Sequence, residues 1–213
     1  MIDIYTIGHS NYTMERFIEM LKKYEIDVVV DIRGTPYSKY NTQYNKEALG
    51  NSLKALGFKY IYMGREFAAQ RDNKLIYTWE GYSDFEKVIK EPSFIYGIER
   101  LKKGLAKGYR IVLLGAKQDP VNCHRFALVG RELYKRGFNV KHIEDDLSVS
   151  SQIELEERML DRYYPKEEQI TMDFLLSGEK SRDEKIKESY RKINREIGFR
   201  VENLNVAKKI WFS

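Results

Sequence analysis

Residues 110–125 read Arg-Ile-Val-Leu-Leu-Gly-Ala-Lys-Gln-Asp-Pro-Val-Asn-Cys-His-Arg. The apolar run at 111–114 is typical of a strand buried on both faces, as in a parallel sheet. Asp119 and Pro120 suit the cap and the first position of a following helix. Cys123, the only cysteine, and His124, one of three histidines, would lie at the start of that helix. The stretch predicts a strand-turn-helix unit with two reactive side chains at the turn.

Similar units are repeated along the first two thirds of the chain. Buried-strand patterns occur at 2–7, 26–32, 58–63, 110–114 and 139–143. Helical patterns follow Thr13 and occupy 45–56 and about 91–107, with a short helix possible at 83–90. Residues 64–82 are predicted to form a long surface loop in which one short helix is possible. Strict alternation of strands and helices predicts an α/β fold, a three-layer α/β/α arrangement with a mostly parallel sheet of about five strands.

A second region begins near residue 148. Residues 151–213 hold 13 Lys or Arg and 13 Asp or Glu, with a strong helical pattern at 152–163 that ends before Pro165. We therefore predict an α/β domain over 1–147 and a charged helical C-terminal extension over 148–213. Trp211 and Phe212 are expected to pack on the domain or on a partner, and the extension could form a homodimer.

Composition limits the class of protein. The 213 residues are 42% hydrophobic, enough for one substantial core, and the formal net charge is +5. The first ten residues lack a secretory pattern, and no apolar stretch approaches the roughly 20 residues of a membrane-spanning helix. We expect a cytoplasmic protein without a membrane span.

Polar residues follow several of the predicted strands. Because parallel sheets bind ligands beyond the carboxyl ends of their strands, these residues could meet at one rim. The candidate catalytic residues are His9, Asp31, Cys123 and His124. The candidate substrate-binding residues are Ser10, Arg33, Ser38, Lys117, Asp119 and Arg125. No metal or cofactor motif is present, and none is expected.

Cys123 allows two interpretations. A thiol at the start of a helix, beside His124, Arg125 and Lys117, is favoured as a thiolate nucleophile. Free cysteines are, however, commonly buried and inert, and adjacent helix positions point about 100° apart. His9 could be a general base or a loop-bracing side chain, whereas His142 lies within a strand pattern and is expected to be structural.

Residues 33–78 hold eight bases and three acids, interleaved with tyrosines. This mixture suits phosphates and stacked bases, although Phe58, Tyr60 and Tyr62 could instead belong to the core. Tyr37 and Tyr40 are among the side chains expected to be freely available.

Three ordered motifs resemble one family. They are Thr6-Ile7-Gly8-His9-Ser10, then Val29-Val30-Asp31-Ile32-Arg33 with Pro36 and Ser38, and then Asp119-Pro120-Val121-Asn122-Cys123-His124-Arg125. Over about residues 1–145 the chain resembles the family called domain of unknown function 488. The resemblance implies an α/β fold and a shared polar site, but no reaction. The family commonly has a second cysteine where this chain has Gly115 and an acid where it has Lys117, so a dithiol cannot operate here.

The leading hypothesis is an enzyme, a hydrolase or group transferase acting on a phosphate-bearing substrate such as a nucleotide, nucleoside or nucleic acid. Arg33, Lys117 and Arg125 would form an anion-binding site. The alternative is a non-catalytic nucleic-acid-binding module that uses segment 33–78. A partner-binding scaffold is a third possibility.

Overall fold

The computed structural model describes residues 2–165 and 180–201. Within them, one sheet contains β1 (Asp3–Gly8), β2 (Val28–Asp31), β3 (Lys59–Tyr62), β4 (Ile111–Gly115), β5 (Asn139–Ile143) and β6 (Val149–Ser151). The strand order is β3-β2-β4-β1-β5-β6. β1 to β5 are parallel and β6 runs antiparallel to β5, so the predicted mostly parallel α/β sheet is confirmed.

The sixth strand was not predicted. β6 has three residues and returns from β5 through a short turn in which Leu147 has a φ of 65°. So short a segment carries too little alternation to be recognised in a sequence.

The helices are α1 (Met14–Lys23), α2 (Lys46–Ala55), α3 (Gly64–Phe67), α4 (Phe85–Val88), α5 (Pro92–Ala106), α6 (Arg131–Lys135), α7 (Gln152–Tyr163) and α8 (Arg182–Ile197). A π-helical segment, Arg125–Gly130, leads into α6, and short 3-10 turns occupy Thr42–Tyr44 and Lys74–Ile76. Thr13 caps α1 as predicted, accepting a hydrogen bond from the Arg16 amide.

Alternation along β2 divides the core into two layers. Val29 belongs to the apolar cluster that contains Phe17 of α1 and Leu53 of α2. Val28 and Val30 belong to the other cluster, which covers the opposite face of the sheet. That second cluster includes Phe94 and Ile98 of α5, Leu133 of α6, Leu155 of α7, and Tyr190 and Ile193 of α8. Helices therefore cover both faces of the sheet.

The strand order places the carboxyl ends of β2, β4 and β1 side by side. β4 lies between β2 and β1, although β1 and β2 are consecutive in the chain. The chain therefore leaves β1 and β4 towards opposite edges of the sheet, which is the arrangement that opens a crevice in doubly wound folds.

The helix after β4 begins later than the sequence predicts. The Asp119 carboxylate accepts hydrogen bonds from the Val121 amide and the Asn122 side chain, which stabilises a turn. The helical conformation starts at His124, and the carbonyl of Cys123 accepts from the amides of Phe126 and Ala127. Local bonds to Asp119 compete with the helix here and delay its start.

A buried hydrogen-bond chain joins the sheet to α7 and α8. Thr6 Oγ1 is 2.8 Å from His142 Nδ1, and His142 Nε2 is 3.0 Å from Gln152 Oε1. Gln152 Nε2 donates to Tyr190 Oη, which donates to Glu156 Oε1, both at 2.8 Å. His142 is fully buried and structural, as predicted.

The C-terminal helices thus share a core with the sheet. The division at residue 148 and the pairing of subunits through these helices stay predictions, and Trp211 and Phe212 lie outside the described residues. Within the described part of the chain, no helix has the length and apolar character that a bilayer crossing requires.

Burial lowers the pKa of His142 from 6.5 to about 3. Because protonation favours the unfolded state, this stabilisation is present above pH 6.5 and is lost as the pH falls towards 3. We expect His142→Gln to make the acid-side fall in unfolding free energy shallower by about 1.4 kcal/mol per pH unit. Urea unfolding at several pH values measures how the unfolding free energy changes with pH in the wild-type protein and in His142→Gln. Equal slopes for the two proteins would contradict a neutral buried His142.

Candidate functional site

A buried ion pair lies at the end of β2. Arg33 Nε and Nη2 donate to Asp31 Oδ1 and Oδ2 at 2.9 and 2.6 Å. Tyr60 also donates to Oδ2 at 2.7 Å, and Arg33 Nη2 donates to the carbonyl of Tyr44 at 2.9 Å. Asp31 is completely buried and Arg33 is 6% exposed. The fork geometry of this pair fixes the position of the guanidinium.

His9 supports the same guanidinium from β1. Its Nδ1 lies 2.7 Å from the carbonyl of Ser10 and its Nε2 lies 3.1 Å from Arg33 Nη1. Burial and the neighbouring Arg33 charge lower the pKa of His9 to about 4, so the ring is neutral near pH 7. The neutral ring donates through Nδ1 and accepts from Arg33 through Nε2. The next residue, Ser10, has a φ of 45°, a strained conformation of the kind found at functional sites.

Arg125 holds the loop after β4. Its guanidinium is fully buried and donates from Nη1 to the carbonyl of Lys117 and from Nη2 to that of Gln118. Gly8 makes this approach possible, because a Cβ there would lie 1.7 Å from the Lys117 oxygen and 2.7 Å from Arg125 Nη1. The ends of β1 and β4 are thereby joined to the segment that carries Cys123.

Cys123 and His124 form a close pair. Cys123 Sγ lies 3.7 Å from His124 Nδ1, and His124 Nε2 lies 2.9 Å from the carbonyl of Ile32. The contact with Ile32 orients the imidazole with Nδ1 towards the sulfur. A Cβ at Gly115 would lie 2.9 Å from Sγ, so a side chain at position 115 would adjoin this thiol.

Electrostatics favour the charged form of this pair. Burial alone would raise the pKa of the Cys123 thiol, but His124 and the Arg125 guanidinium together lower it to about 5. Burial opposes protonation of His124, yet the neighbouring thiolate and the Ile32 carbonyl raise its pKa above the ordinary value. Both shifts favour the thiolate form of Cys123 and the imidazolium form of His124.

The pair faces a cleft of about 770 Å³, which we term the thiol cleft. A second cleft of about 420 Å³, the hydroxyl cleft, adjoins it. The two share a wall of five residues: Arg33, Thr35, Ala116, Lys117 and Gln118. The thiol cleft is completed by Gly34, Asp119, Asn122, Cys123, His124, Glu196 and Ile197. The hydroxyl cleft is completed by His9, Ser10, Asn11, Tyr37, Ser38 and Asn41.

Eight of the ten candidate residues line these two clefts. The other two, Asp31 and Arg125, are buried beneath the surface, where they hold Arg33 and the 117–118 loop. Glu196 and Asn122 also line the thiol cleft, although neither was among the ten candidates. Asn122 lies within the motif already quoted, but Glu196 reaches the cleft through the packing of α8, for which the sequence offers no local signal.

Within residues 2–165 and 180–201, no three His, Cys, Asp or Glu side chains are grouped closely enough to hold a metal ion.

The buried carboxylate of Asp31 has a clear energetic role. We expect Asp31→Asn to lower the free energy of unfolding by about 3 kcal/mol, because Arg33 would remain buried without its counter-ion. Glu19→Gln, which removes a solvent-exposed partner of Arg16, is the matched control and should cost less than about 1 kcal/mol. Urea unfolding measures the loss of unfolding free energy in each variant. Equal losses would show that the buried Asp31–Arg33 pair stabilises the fold no more than an exposed pair does.

Comparison with known proteins supports the resemblance in the sequence. No curated protein and no solved structure matches the chain. Residues 13–131, more than half of the 213, match the family described as Domain of unknown function DUF488. This matched region contains β2, β4, the Asp31–Arg33 pair and the Cys123–His124 pair. The chain belongs to the family Domain of unknown function DUF488.

Proposed function

We propose that the protein is an enzyme, a hydrolase or group transferase, in which Cys123 is the nucleophile and His124 is the general acid and base. The observation that carries this proposal is the Cys123–His124 pair in the lining of the thiol cleft, where Sγ lies 3.7 Å from Nδ1 and Cys123 is 4% exposed. An activated thiol beside an oriented base is the usual arrangement of covalent catalysis.

The reaction has two steps. The Cys123 sulfur attacks an electrophilic centre of the substrate, a new bond to sulfur forms, and the bond to the leaving group breaks while His124 gives that group its proton. Water or an acceptor hydroxyl then attacks the same centre, His124 takes its proton, and the bond to sulfur breaks. The thiolate and the imidazolium are restored.

We further propose that the substrate carries a phosphate. Lys117 and Arg33 lie on the wall shared by the two clefts. The Lys117 charge can meet an anionic group there, whereas the Arg33 charge is paired with Asp31. Among the described residues, no Asp or Glu lines the hydroxyl cleft, whereas Thr35 and Ser38 supply hydroxyl groups there. In this proposal Asp31 and His9 position Arg33, and Arg125 positions the Lys117 loop.

A nucleic-acid-binding module is the second candidate. Tyr40 is 94% exposed and Tyr37 is 54% exposed, with Lys39 between them, so two rings and a cation are available for stacking and phosphate contacts. Burial of Arg33, and of Arg71 against the carbonyls of Arg65 and Glu66, reduces the basic surface of segment 33–78. Affinity for single-stranded oligonucleotides that falls steeply with salt would favour this candidate.

Titration of the thiolate ultraviolet absorbance tests the enzyme proposal, because Cys123 is the only cysteine in the chain. We expect a midpoint near pH 5 in the wild-type protein. In His124→Gln the midpoint should rise above about pH 8, since a buried thiol then lacks its imidazolium partner. Cys123→Ser supplies the baseline. A wild-type midpoint in the ordinary thiol range would contradict the proposal.

A further inference from the structure

We infer that the two clefts together bind a phosphorylated ribose, with the phosphate in the hydroxyl cleft and the sugar hydroxyls against a carboxylate wall of the thiol cleft. The inference rests on the proposed function and specifies its substrate class. The observation behind it is the unequal distribution of hydrogen-bond donors and acceptors between two clefts that share one wall.

The carboxylate wall consists of Asp119 and Glu196. Glu196 Oε2 accepts from Arg162 Nη2 at 2.5 Å and its Oε1 accepts from Tyr163 Oη at 2.8 Å. Asp119 Oδ1 accepts from Arg158 Nη2 at 3.0 Å. Both carboxylates lie in the thiol cleft with Cys123, and their side chains are 40% and 41% exposed.

These carboxylates are held in place from behind. Arg158 and Arg162 lie four residues apart on α7, so they project from the same side of that helix. Arg162 Nη1 also donates to Asn122 Oδ1 at 2.7 Å, and Asn122 donates to Asp119 Oδ2 at 2.7 Å. A continuous chain of hydrogen bonds therefore connects Glu196 of α8 to the turn that precedes Cys123, and the wall is preorganised.

The pairing decides which ligand groups the wall favours. Arg162 pairs with Glu196, and Arg158 pairs with both Asp119 and Glu144. Because each carboxylate of the wall already has an arginine partner, the wall does not require a cation from the ligand. Each carboxylate has about four acceptor sites, so positions beyond those used by the arginines remain for further donors. Neutral hydroxyl groups satisfy such acceptors, and a carboxylate that accepts from ribose hydroxyls is a recurring element of nucleotide sites.

The hydroxyl cleft has the opposite chemistry. Its lining contains Lys117, Arg33 and the side-chain donors of Asn11 and Ser38, and no carboxylate from residues 2–165 or 180–201 lines it. Such a surface suits a phosphate, which offers acceptor oxygens and negative charge. Since Arg33 and Lys117 line both clefts, one ligand can place its anionic end in the hydroxyl cleft and its hydroxyl-bearing end beside Cys123.

Calorimetric titration of the full chain tests this division, with ribose 5-phosphate, inorganic phosphate and ribose as the probes. Ribose 5-phosphate should bind at least about tenfold more tightly than either fragment, because it occupies both clefts. Glu196→Gln should weaken ribose 5-phosphate binding by about tenfold, as expected for a lost charged hydrogen bond, and should leave inorganic phosphate binding unchanged. Lys117→Met should weaken both.

Glu157→Gln is the matched control, because the Glu157 carboxylate lies on α7, pairs with Arg182 and lines neither cleft. It should bind all three probes like the wild-type protein. Adenosine 5′-monophosphate distinguishes the source of the phosphorylated ribose: tighter binding than ribose 5-phosphate indicates a nucleotide, and equal binding indicates a free sugar phosphate. Either result supports the inference.

The inference is overturned if inorganic phosphate binds as tightly as ribose 5-phosphate, or if Glu196→Gln has no effect on ribose 5-phosphate. Cys123→Ser separates it from the enzyme proposal, because this variant should retain ribose 5-phosphate binding. If the thiol titrates in the ordinary range while ribose 5-phosphate still binds, the enzyme proposal fails and the ligand inference stands. If the thiol midpoint is low but ribose 5-phosphate does not bind, the ligand inference fails and the enzyme proposal stands.

Discussion

The fully buried guanidinium of Arg125 holds the site together. It donates to two consecutive carbonyls of the loop after β4, and it can do so only because residue 8 at the end of β1 is glycine. The same residue begins the π-helical segment and immediately follows Cys123 and His124. One side chain thereby sets the relative positions of two strand ends, the Lys117 loop and the reactive pair, and its charge helps to lower the pKa of the thiol.

Charge is arranged in layers at this edge of the sheet. Beneath the surface, Asp31 balances Arg33, and a neutral His9 occupies the remaining side of that guanidinium. In the lining of the thiol cleft, the buried Cys123 thiol lies beside His124. On the outer wall, arginines of α7 pair with Asp119 and Glu196, and Arg158 also pairs with Glu144. In the proposed enzyme, such pairing lets the nucleophile, the donors and the acceptors lie within one pair of clefts.

Much of this arrangement follows from local sequence patterns. The strand at 139–143 and the helix at 152–163 have the predicted bounds, because apolar periodicity and the Ser151 capping box define them clearly. The meeting of His9, Arg33 and Cys123 at one edge follows from parallel topology. The burial of Asp31 and Arg125 could not be predicted, because it depends on backbone carbonyls and a glycine from other segments. Glu196 enters the site through long-range packing of α8, which includes Tyr190 and its buried hydrogen-bond chain.

The central claim is that Cys123 and His124 exist as an ion pair, and nuclear magnetic resonance titration of the His124 ring in the wild-type protein and in Cys123→Ser tests it most directly. The pKa of His124 should lie above its ordinary value in the wild-type protein, because the adjacent thiolate stabilises the imidazolium. It should fall in Cys123→Ser, where burial of the ring is no longer opposed by a neighbouring negative charge. The same His124 titration in both proteins would contradict the ion pair and the chemistry built on it.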